Sequence, residues 1–290
     1  MARAELAIGA VFKNEAPYLA EWLAFHARMG VERFFLYDND STDDWRAAVQ
    51  ASGEGARTTV LACPGPQGQV RAYRDCLERF RDAADWIAFI DLDEFLFAPD
   101  GTPLPAVLAG FGDHPAVAVN WMVFGTGGHA TRPDGLVTRN YVRRGATGVV
   151  VPYQAYLKSP DLDPKRVDSY RPLNSHVKSI VRPARTLRAV TPHHFAYAGG
   201  ARAVTEAGEP FDGPWSPSVG LSRLRLNHYW SKSSAELAAK TARGVAWFGS
   251  APTLDFNRSV ERLMNTETDT AIFPLARGLP GWRPLFGAAA

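Results

Sequence analysis

The sequence has few of the features that mark secreted, membrane-spanning or nucleic-acid-binding proteins. Its 290 residues include two cysteines, Cys63 and Cys76, and no apolar run reaches the length of about 18 residues that a membrane span needs. The N-terminus has no export signal, so we expect a reduced, cytoplasmic protein. The 32 Lys and Arg are scattered among 30 Asp and Glu, and this excludes the basic stripe of a nucleic-acid binder.

Glycine-rich phosphate-binding motifs are also absent. No Gly-x-Gly-x-x-Gly or Walker-type pattern opens any of the predicted helices. Without such backbone N–H groups, the charge of a bound diphosphate would have to be neutralised by a metal ion. The net charge of +2 and the 46% hydrophobic content are ordinary for a soluble globular protein of one large domain or two small ones.

What the N-terminal part does contain is an alternation of strand and helix patterns. Strands are predicted at residues 6–12, 33–37, 58–62 and 86–90, and helices at residues 17–29, 45–49 and 67–81. This alternation predicts an α/β fold with a mostly parallel, Rossmann-like central sheet flanked by helices. His26 lies on the apolar face of the first helix, where a buried structural histidine is expected rather than a ligand.

A polar run from Asp38 to Asp44 follows the second predicted strand directly. It fits a turn in which Ser41 or Thr42 caps the next helix. Ligands of open α/β sheets bind beyond the carboxyl ends of the strands, however. The position of Asp38 therefore also predicts a contact with the base or ribose of a nucleotide.

The stretch WIAFIDLDEFLF, residues 86–97, is an apolar strand pattern interrupted by Asp91, Asp93 and Glu94. If the alternation of an extended strand continues, Asp91 and Asp93 point to the same side and Leu92 points into the core. Two carboxylates this close favour a hard divalent cation, Mg²⁺ or Mn²⁺, that can bridge to nucleotide phosphates. Taken alone, an Asp-x-Asp triplet is more typical of an exposed acidic turn, and with the apolar residues on both sides the two interpretations stand even.

After Pro99 the sequence becomes rich in Pro, Gly and Arg and its strand patterns become short. Further strands are predicted at residues 116–123, 176–181 and 224–229, and helices at residues 103–110, 233–243 and 257–265. Long loops in a compact protein usually carry function. We therefore expect this half to bind a second substrate.

Five motifs resemble, in order, those of one group of enzymes. They are KNEAPYLAEWLAFHARMGVERFFLYDNDSTDD, WIAFIDLDEFLF, NWMVFGTGGH, HVKSIVRP and LNHYWSKSSAELAAKTARG. From about residue 6 to residue 244, the chain is similar to bacterial glycosyltransferases grouped near families 2 and 92. The resemblance implies a GT-A fold. Residues 1–115 would bind a nucleotide-sugar, residues 116–232 would bind the acceptor on the same sheet, and residues 233–290 would form C-terminal helices and a tail.

The resemblance also implies a donor site for a nucleotide-sugar, with UDP favoured, and a divalent metal, Mn²⁺ or Mg²⁺. The implied nucleotide and donor contacts are Asn14, Glu15, Asp38, Asn39, Gln69, Tyr73, Asp91, Lys178, His194 and Lys232. The implied metal ligands are Asp91, Asp93 and His228, and an imidazole suits Mn²⁺ better than Mg²⁺. A backbone-bonded histidine and structural surface lysines are the alternatives for His228, Lys178 and Lys232.

Glycosyl transfer with inversion at C1 needs a carboxylate that takes the acceptor's proton. We predict an inverting transfer with Asp212 or Glu206 as the base, and Glu94, beside the metal motif, is a further candidate. Three more carboxylates of the second half stay open, namely Asp161, Asp163 and Asp168. The metal and a lysine would stabilise the leaving phosphates.

Trp121 and Trp215 lie next to Gly-rich or Pro-rich loops. We predict that they contact the acceptor, a glycan or lipid-linked saccharide, with core packing as the alternative. Any membrane contact would then arise through the substrate. Two other functions stay open: a sugar nucleotidyltransferase, disfavoured by the missing triphosphate loop, and a non-catalytic sugar-binding relative.

Overall fold

A computed structural model describes residues 3–152, 170–243 and 253–283 of the chain. The strands are β1 (Ala4–Phe12), β2 (Arg33–Asp38), β3 (Thr58–Ala62), β4 (Ala84–Phe89), β5 (Glu94–Phe97), β6 (Ala116–Val123), β7 (Arg143–Arg144), β8 (Val150–Pro152), β9 (Tyr170–Pro172), β10 (Val177–Val181), β11 (Thr186–Ala189), β12 (Phe195–Tyr197), β13 (Ala203–Val204), β14 (Pro210–Phe211), β15 (Arg225–His228) and β16 (Glu267–Thr268). The helices are α1 (Ala16–Arg28), α2 (Trp45–Ala51), α3 (Gly68–Arg79), α4 (Leu104–Ala109), α5 (Val137–Asn140), α6 (Ser234–Arg243), α7 (Leu254–Leu263) and α8 (Phe273–Ala276).

The central sheet has the strand order β14-β13-β6-β10-β4-β1-β2-β3. Strands β4, β1, β2 and β3 are parallel, whereas β10 is antiparallel to both of its neighbours, β4 and β6. The predicted α/β fold with a mostly parallel, Rossmann-like sheet flanked by helices is confirmed. Ser179 pairs with Phe89, which places the beginning of β10 beside the carboxyl end of β4.

Two apolar cores lie on opposite faces of this sheet. Because side chains alternate along a strand, Leu6 and Ile8 of β1 belong to the core under α1, whereas Ala7 belongs to the core under α3. Cys63 and Cys76 are both buried and free, as the sequence predicts. The described residues contain no helix that is long and apolar enough to cross a membrane.

Helix α1 fixes the backbone at the end of β4. The indole Nε1 of Trp22 donates to the carbonyl oxygens of Glu94 at 2.8 Å and Asp91 at 3.2 Å. One turn later, His26 Nδ1 lies 2.8 Å from the Trp22 carbonyl oxygen, and His26 Nε2 accepts from the Leu96 N–H at 3.0 Å. Burial lowers the pKa of His26 to about 3. The prediction that His26 is a structural histidine is therefore confirmed.

Helix α2 begins differently from the prediction. Its N-cap is Asp44, whose Oδ1 accepts from the Ala47 N–H at 3.1 Å. Ser41 lies three residues earlier, and its hydroxyl oxygen accepts from the Asn14 N–H at 3.0 Å. The polar run after β2 therefore contains the cap, as expected, but Ser41 connects two loops and does not cap the helix.

Glu21 of α1 holds the loop that follows β6. Its carboxylate accepts from the Val137 N–H at 2.6 Å, the Thr138 N–H at 3.0 Å and the Thr138 hydroxyl at 2.6 Å. Burial raises the pKa of Glu21 to about 7, although the hydrogen bonds from Thr138 and Val137 oppose that rise. The stability of the folded protein therefore depends on the protonation of the Glu21 carboxyl group.

The Glu21→Gln variant is expected to lose a pH dependence of stability. Because the folded protein binds this proton more tightly than the unfolded chain does, the stabilisation is complete below pH 4.5 and is lost as pH rises through about 7. Relative to the variant, the free energy of unfolding of the natural protein should fall by about 2 to 3 kcal/mol over that interval. Urea unfolding of both proteins at several pH values measures the difference, and parallel pH profiles would contradict it.

Candidate active site

The acids of WIAFIDLDEFLF lie in a tight turn between β4 and β5. The Glu94 N–H donates to the Asp91 carbonyl oxygen at 3.1 Å, so the extended conformation predicted for this stretch is wrong. Leu92 is 3% exposed and belongs to the core, as predicted. Asp91 and Asp93 nevertheless lie beyond the carboxyl end of β4, where open α/β sheets bind ligands.

Asp91 receives three side-chain hydrogen bonds. Its Oδ1 accepts from Gln69 Nε2 at 2.6 Å and from the Tyr73 hydroxyl at 3.3 Å, and Lys178 Nζ donates to Oδ2 at 2.8 Å. Gln69 and Tyr73 lie one turn apart on α3, and Lys178 lies on β10. The structure thus brings together four residues that were predicted at the donor site. With three donors on its carboxylate, Asp91 organises the site and is not an open metal ligand.

Lys178 is a buried cation between two acids. Its side chain is 1% exposed, and Nζ lies 2.8 Å from Asp91 Oδ2 and 3.8 Å from Glu94 Oε2. Burial lowers the pKa of Lys178, but the charges of Asp91 and Glu94 outweigh it and raise the pKa above the usual range. Burial raises the pKa of Glu94 well above its usual value. Asp91 is therefore the closer ion-pair partner of Lys178, and Lys178 is not a surface lysine.

Asp93 faces two groups from the C-terminal part of the chain. Lys240 Nζ of α6 donates to Asp93 Oδ2 at 2.7 Å, and His228 Nε2 of β15 lies 3.5 Å from Oδ1. Burial raises the pKa of Asp93, but the charges of Lys240 and His228 outweigh it and hold the pKa well below the usual value. Burial lowers the pKa of His228. The site therefore places the Asp93 carboxylate beside an imidazole whose burial disfavours the charged form.

Asp93 and His228 fit two ligands of a divalent cation. Ligand atoms bound at about 2.1 Å are roughly 3.0 to 3.4 Å apart around such an ion, close to the 3.5 Å between Oδ1 and Nε2. His228 Nδ1 lies 3.9 Å from Glu94 Oε1, and both atoms are buried without a hydrogen-bond partner. If the proton of the neutral imidazole is on Nδ1, the lone pair of Nε2 faces Asp93 Oδ1. A cation can then bind between these two atoms.

The third predicted ligand does not join this pair. In the part of the chain that the structure describes, no group of three or more His, Cys, Asp or Glu residues is arranged to hold a metal ion. Asp91 is held by Gln69, Tyr73 and Lys178 instead. Water and substrate oxygens would have to complete the coordination of an ion at Asp93 and His228.

The residues predicted to line the nucleoside pocket form the loops at this edge of the sheet. Asn14 Oδ1 accepts from the Thr42 N–H at 2.7 Å, and Asp38 Oδ1 accepts from the Ser41 N–H at 2.9 Å. Asn39 Nδ2 donates to two carbonyl oxygens of the loop after β3, both at 2.7 Å. These hydrogen bonds fix the conformation of the loops, and a direct contact with a nucleotide stays a prediction.

Charged pairs join the loop after β1 to the segment from β15 to α6. Lys232 Nζ lies 3.1 Å from Glu15 Oε2 and 4.0 Å from the centre of the Tyr18 ring. Arg243 Nη2 lies 3.8 Å from Glu15 Oε1. Glu15 and Lys232, both predicted at the donor site, are therefore paired with one another.

An aromatic cluster lies next to His228. The Trp121 ring stacks on His176 with centroids 4.8 Å apart, and it also contacts His193 at 5.2 Å and His228 at 4.4 Å. Imidazoles thus pack around the ring that was predicted to contact the acceptor. The buried Trp121 Nε1 has no hydrogen-bond partner, and a contact of Trp121 with the acceptor stays a prediction. His193, not the predicted His194, is the member of the His pair that contacts this cluster.

The predicted bases differ in availability. The Glu206 carboxylate accepts from the N–H groups of Ser222, Arg223 and Leu224 and from the Ser222 hydroxyl, all within 2.9 Å. Burial raises the pKa of Glu206, but these hydrogen bonds lower it below the usual value. Such a carboxylate is a poor base, so the structure favours a structural role for Glu206 over the predicted one.

Asp212 is exposed in the loop after β14. The same loop carries Trp215, which forms an isolated antiparallel bridge with His176 of the aromatic cluster. Burial lowers the pKa of His194, and the nearby charge of Asp212 raises it. Asp212 thus stays the predicted base, on a loop that reaches the site through Trp215.

Glu94 is 0% exposed and cannot reach an acceptor, so its predicted role as the base is corrected to positioning. Its Oε2 accepts from the Asp91 N–H at 2.8 Å. The candidates Asp161, Asp163 and Asp168 lie outside the described residues.

Sequence reasoning missed Lys240 and His176, and of the pair His193 and His194 it chose His194. A signal for Lys240 existed, because Lys240 lies three residues after the buried Leu237 on the same helix, a spacing that places both on one face. His176 carried no such signal, because only the fold brings its loop against Trp121.

Comparisons with known proteins fit this geometry. The sequence profile described as Glycosyltransferase family 92 matches residues 8–205. The family 92 protein Os08g0121900 of Oryza sativa subsp. japonica is 28% identical over 248 residues, which cover 81% of this chain and 35% of that protein. Galactan beta-1,4-galactosyltransferase GALS1 of Arabidopsis thaliana is 31% identical over 107 residues, 33% of this chain and 21% of that protein. The chain spans about a third of the length of these curated family 92 relatives. These relatives are plant proteins, whereas the predicted resemblance was to bacterial ones.

Solved structures give weaker likenesses. The structure of S. aureus TarS 1–349 in complex with UDP has a TM-score of 0.38 at 15% identity and covers 62% of this chain and 47% of that chain. Glucosyl-3-phosphoglycerate synthase from Mycobacterium tuberculosis, with Mn²⁺ and UDP, has a TM-score of 0.29 at 16% identity and covers 41% and 44%. Scores this low add nothing to the assignment.

Proposed function

Because the chain belongs to glycosyltransferase family 92, we propose that it transfers a hexose from a nucleoside diphosphate donor to a hydroxyl group of a glycan or glycoconjugate. The main support is the position of Asp91 and Asp93 beyond the carboxyl end of β4, with Lys178, Lys240 and His228 against them. Acids and cations are thus gathered at the edge of the sheet where a nucleotide would bind.

The charges of the site suit a diphosphate leaving group. Lys178 and Lys240 each lie within 2.8 Å of a carboxylate oxygen, so their ammonium groups stand beside the place where negative charge develops as the bond to C1 breaks. A divalent cation held by Asp93 and His228 would supply further positive charge to the phosphates when bound. The imidazole ligand favours Mn²⁺ over Mg²⁺.

UDP is the nucleotide that we propose, as the family resemblance implies. Two relatives bear the name galactan beta-1,4-galactosyltransferase, which makes UDP-galactose the first donor to test and a β-linked galactan the first acceptor. We further propose that residues 116–232 bind this acceptor, with Trp121 as one contact.

The activity test uses the purified chain with UDP-galactose, UDP-glucose or GDP-mannose, together with Mn²⁺ and a fluorescently tagged galacto-oligosaccharide. Mass spectrometry should detect addition of one hexose to the acceptor with release of UDP, and NMR of the product gives the anomeric configuration. Release of pyrophosphate from a nucleoside triphosphate and a sugar phosphate would support the nucleotidyltransferase alternative instead. Binding of donors without any turnover would support the non-catalytic alternative.

Asp212 is our proposed base for an inverting transfer. We expect Asp212→Asn to lower kcat by about 100-fold to 10,000-fold, because the acceptor hydroxyl loses the group that takes its proton. The dissociation constant of UDP should change by less than about twofold, since the carboxylate does not contact the donor. Steady-state rates and UDP titration measure the two quantities.

The matched control is Asp82→Asn. Asp82 is exposed beyond the C-terminus of α3, and its loss should leave both quantities unchanged. If Asp212→Asn keeps the kcat of the natural protein, the base lies elsewhere in the chain.

A further inference from the structure

Lys240 forms an ion pair with Asp93, whose carboxylate would hold the metal ion. Its Nζ donates to Asp93 Oδ2 at 2.7 Å and to the Trp230 carbonyl oxygen at 3.1 Å. The Asp93 side chain is 11% exposed, whereas the Lys240 side chain is 34% exposed. An almost buried carboxylate is therefore neutralised by an ammonium group that keeps access to solvent.

The two oxygens of Asp93 face different groups. Oδ2 contacts Lys240, and Oδ1 faces His228 Nε2 at 3.5 Å, where a divalent cation fits. A cation at Oδ1 would share one carboxylate with the Lys240 ammonium, and two like charges so close repel each other strongly in a partly buried site. A diphosphate relieves this repulsion, because its oxygens can bind the cation and accept from Lys240 at the same time.

From this geometry we propose that Lys240 is a built-in counter-ion of Asp93 that couples metal binding to donor binding. In the donor-free protein it neutralises Asp93 and weakens the binding of a divalent cation. When the donor binds, the flexible four-carbon stem lets the ammonium turn from Asp93 to the diphosphate. This inference rests on the proposed function, because it requires a metal ion and a nucleoside diphosphate at Asp93.

If Lys240 has this role, removal of its positive charge should affect Mn²⁺ binding and UDP binding in opposite directions. In Lys240→Met and Lys240→Gln, we expect Mn²⁺ without nucleotide to bind about tenfold more tightly or better, because the competing cation is gone. At saturating Mn²⁺, UDP should bind about tenfold more weakly or worse, because one phosphate contact is lost. The Gln variant keeps a donor for the Trp230 carbonyl oxygen, so it separates the charge from the hydrogen bond.

The experiment measures free Mn²⁺ by electron paramagnetic resonance and UDP binding by calorimetry, with thermal unfolding to show that each variant is folded. Lys240→Arg keeps the charge and should bind Mn²⁺ without nucleotide no more tightly than the natural protein does. If both neutral variants bind Mn²⁺ no better than the natural protein, Lys240 is only a structural partner and the inference is wrong. A natural protein that binds neither Mn²⁺ nor UDP would instead contradict the proposed function itself.

Discussion

Asp93→Asn is expected to lower kcat/KM by about 1000-fold or more. The substitution keeps the shape of the side chain but removes the charge that faces both His228 and Lys240. A cation at this site would lose its anionic ligand, and Lys240 would lose its partner. Initial rates at saturating Mn²⁺ across a range of donor concentrations measure the effect.

The fold should survive this change. Lys240 is 34% exposed, so water can solvate its ammonium group once Asp93 is neutral, and we expect a loss of stability of only about 1 to 2 kcal/mol. Urea unfolding of Asp93→Asn beside the control Asp82→Asn separates stability from activity. A variant that keeps more than about a tenth of the natural kcat/KM would show that Asp93 does not act on the reacting groups.

Lys178→Met is expected to have the largest effect on stability. The substitution removes the cation that is 2.8 Å from Asp91 Oδ2 and 3.8 Å from Glu94 Oε2. An unpaired charge then remains on Asp91 beside the buried Glu94, which should cost about 3 to 5 kcal/mol of unfolding free energy. Activity should fall by about 100-fold or more if this ammonium group stabilises the leaving phosphates, as we propose.

The double variant Asp91→Asn/Lys178→Met distinguishes the ion pair from packing. Once Asp91 is neutral, loss of Lys178 no longer leaves an unpaired charge, so the double variant should be more stable than the sum of the two single losses predicts. Urea unfolding of the four proteins gives the coupling. Losses that simply add would mean that Lys178 stabilises the fold through its methylene stem.

Sequence reasoning succeeded where a local pattern decides the structure. The apolar runs of β1, β2, β3 and β4 predicted the parallel sheet, because buried strands need such runs and the helices between them impose parallel order. The same logic predicts that Asp91 and Asp93 lie beyond the end of β4, as they do. It could not foresee that Asp91 starts a turn closed by the Glu94 N–H, because alternation alone does not fix where a strand ends.

The partners of the acids could not be predicted in the same way. Asp93 meets Lys240 from α6 and His228 from β15, elements far along the chain. Only the family resemblance suggested His228, and nothing but helical spacing pointed to Lys240. Glu206 was predicted to be a base because it lies in a loop-rich region. The sequence does not reveal that its carboxylate accepts hydrogen bonds from three backbone N–H groups of residues 222–224. Hydrogen-bond partners of this kind depend on tertiary contacts that no sequence period records.

We propose that Asp93 holds a metal ion to which a nucleoside diphosphate binds. Calorimetric titration of UDP into the natural protein and into Asp93→Asn, each with Mn²⁺ and then with EDTA, tests it most directly. We expect UDP to bind the natural protein with Mn²⁺ and to lose that binding on addition of EDTA or on substitution of Asp93. The proposal would be contradicted if neither EDTA nor the substitution changed UDP binding, or if UDP did not bind at all. The acids of this turn would then have a structural role.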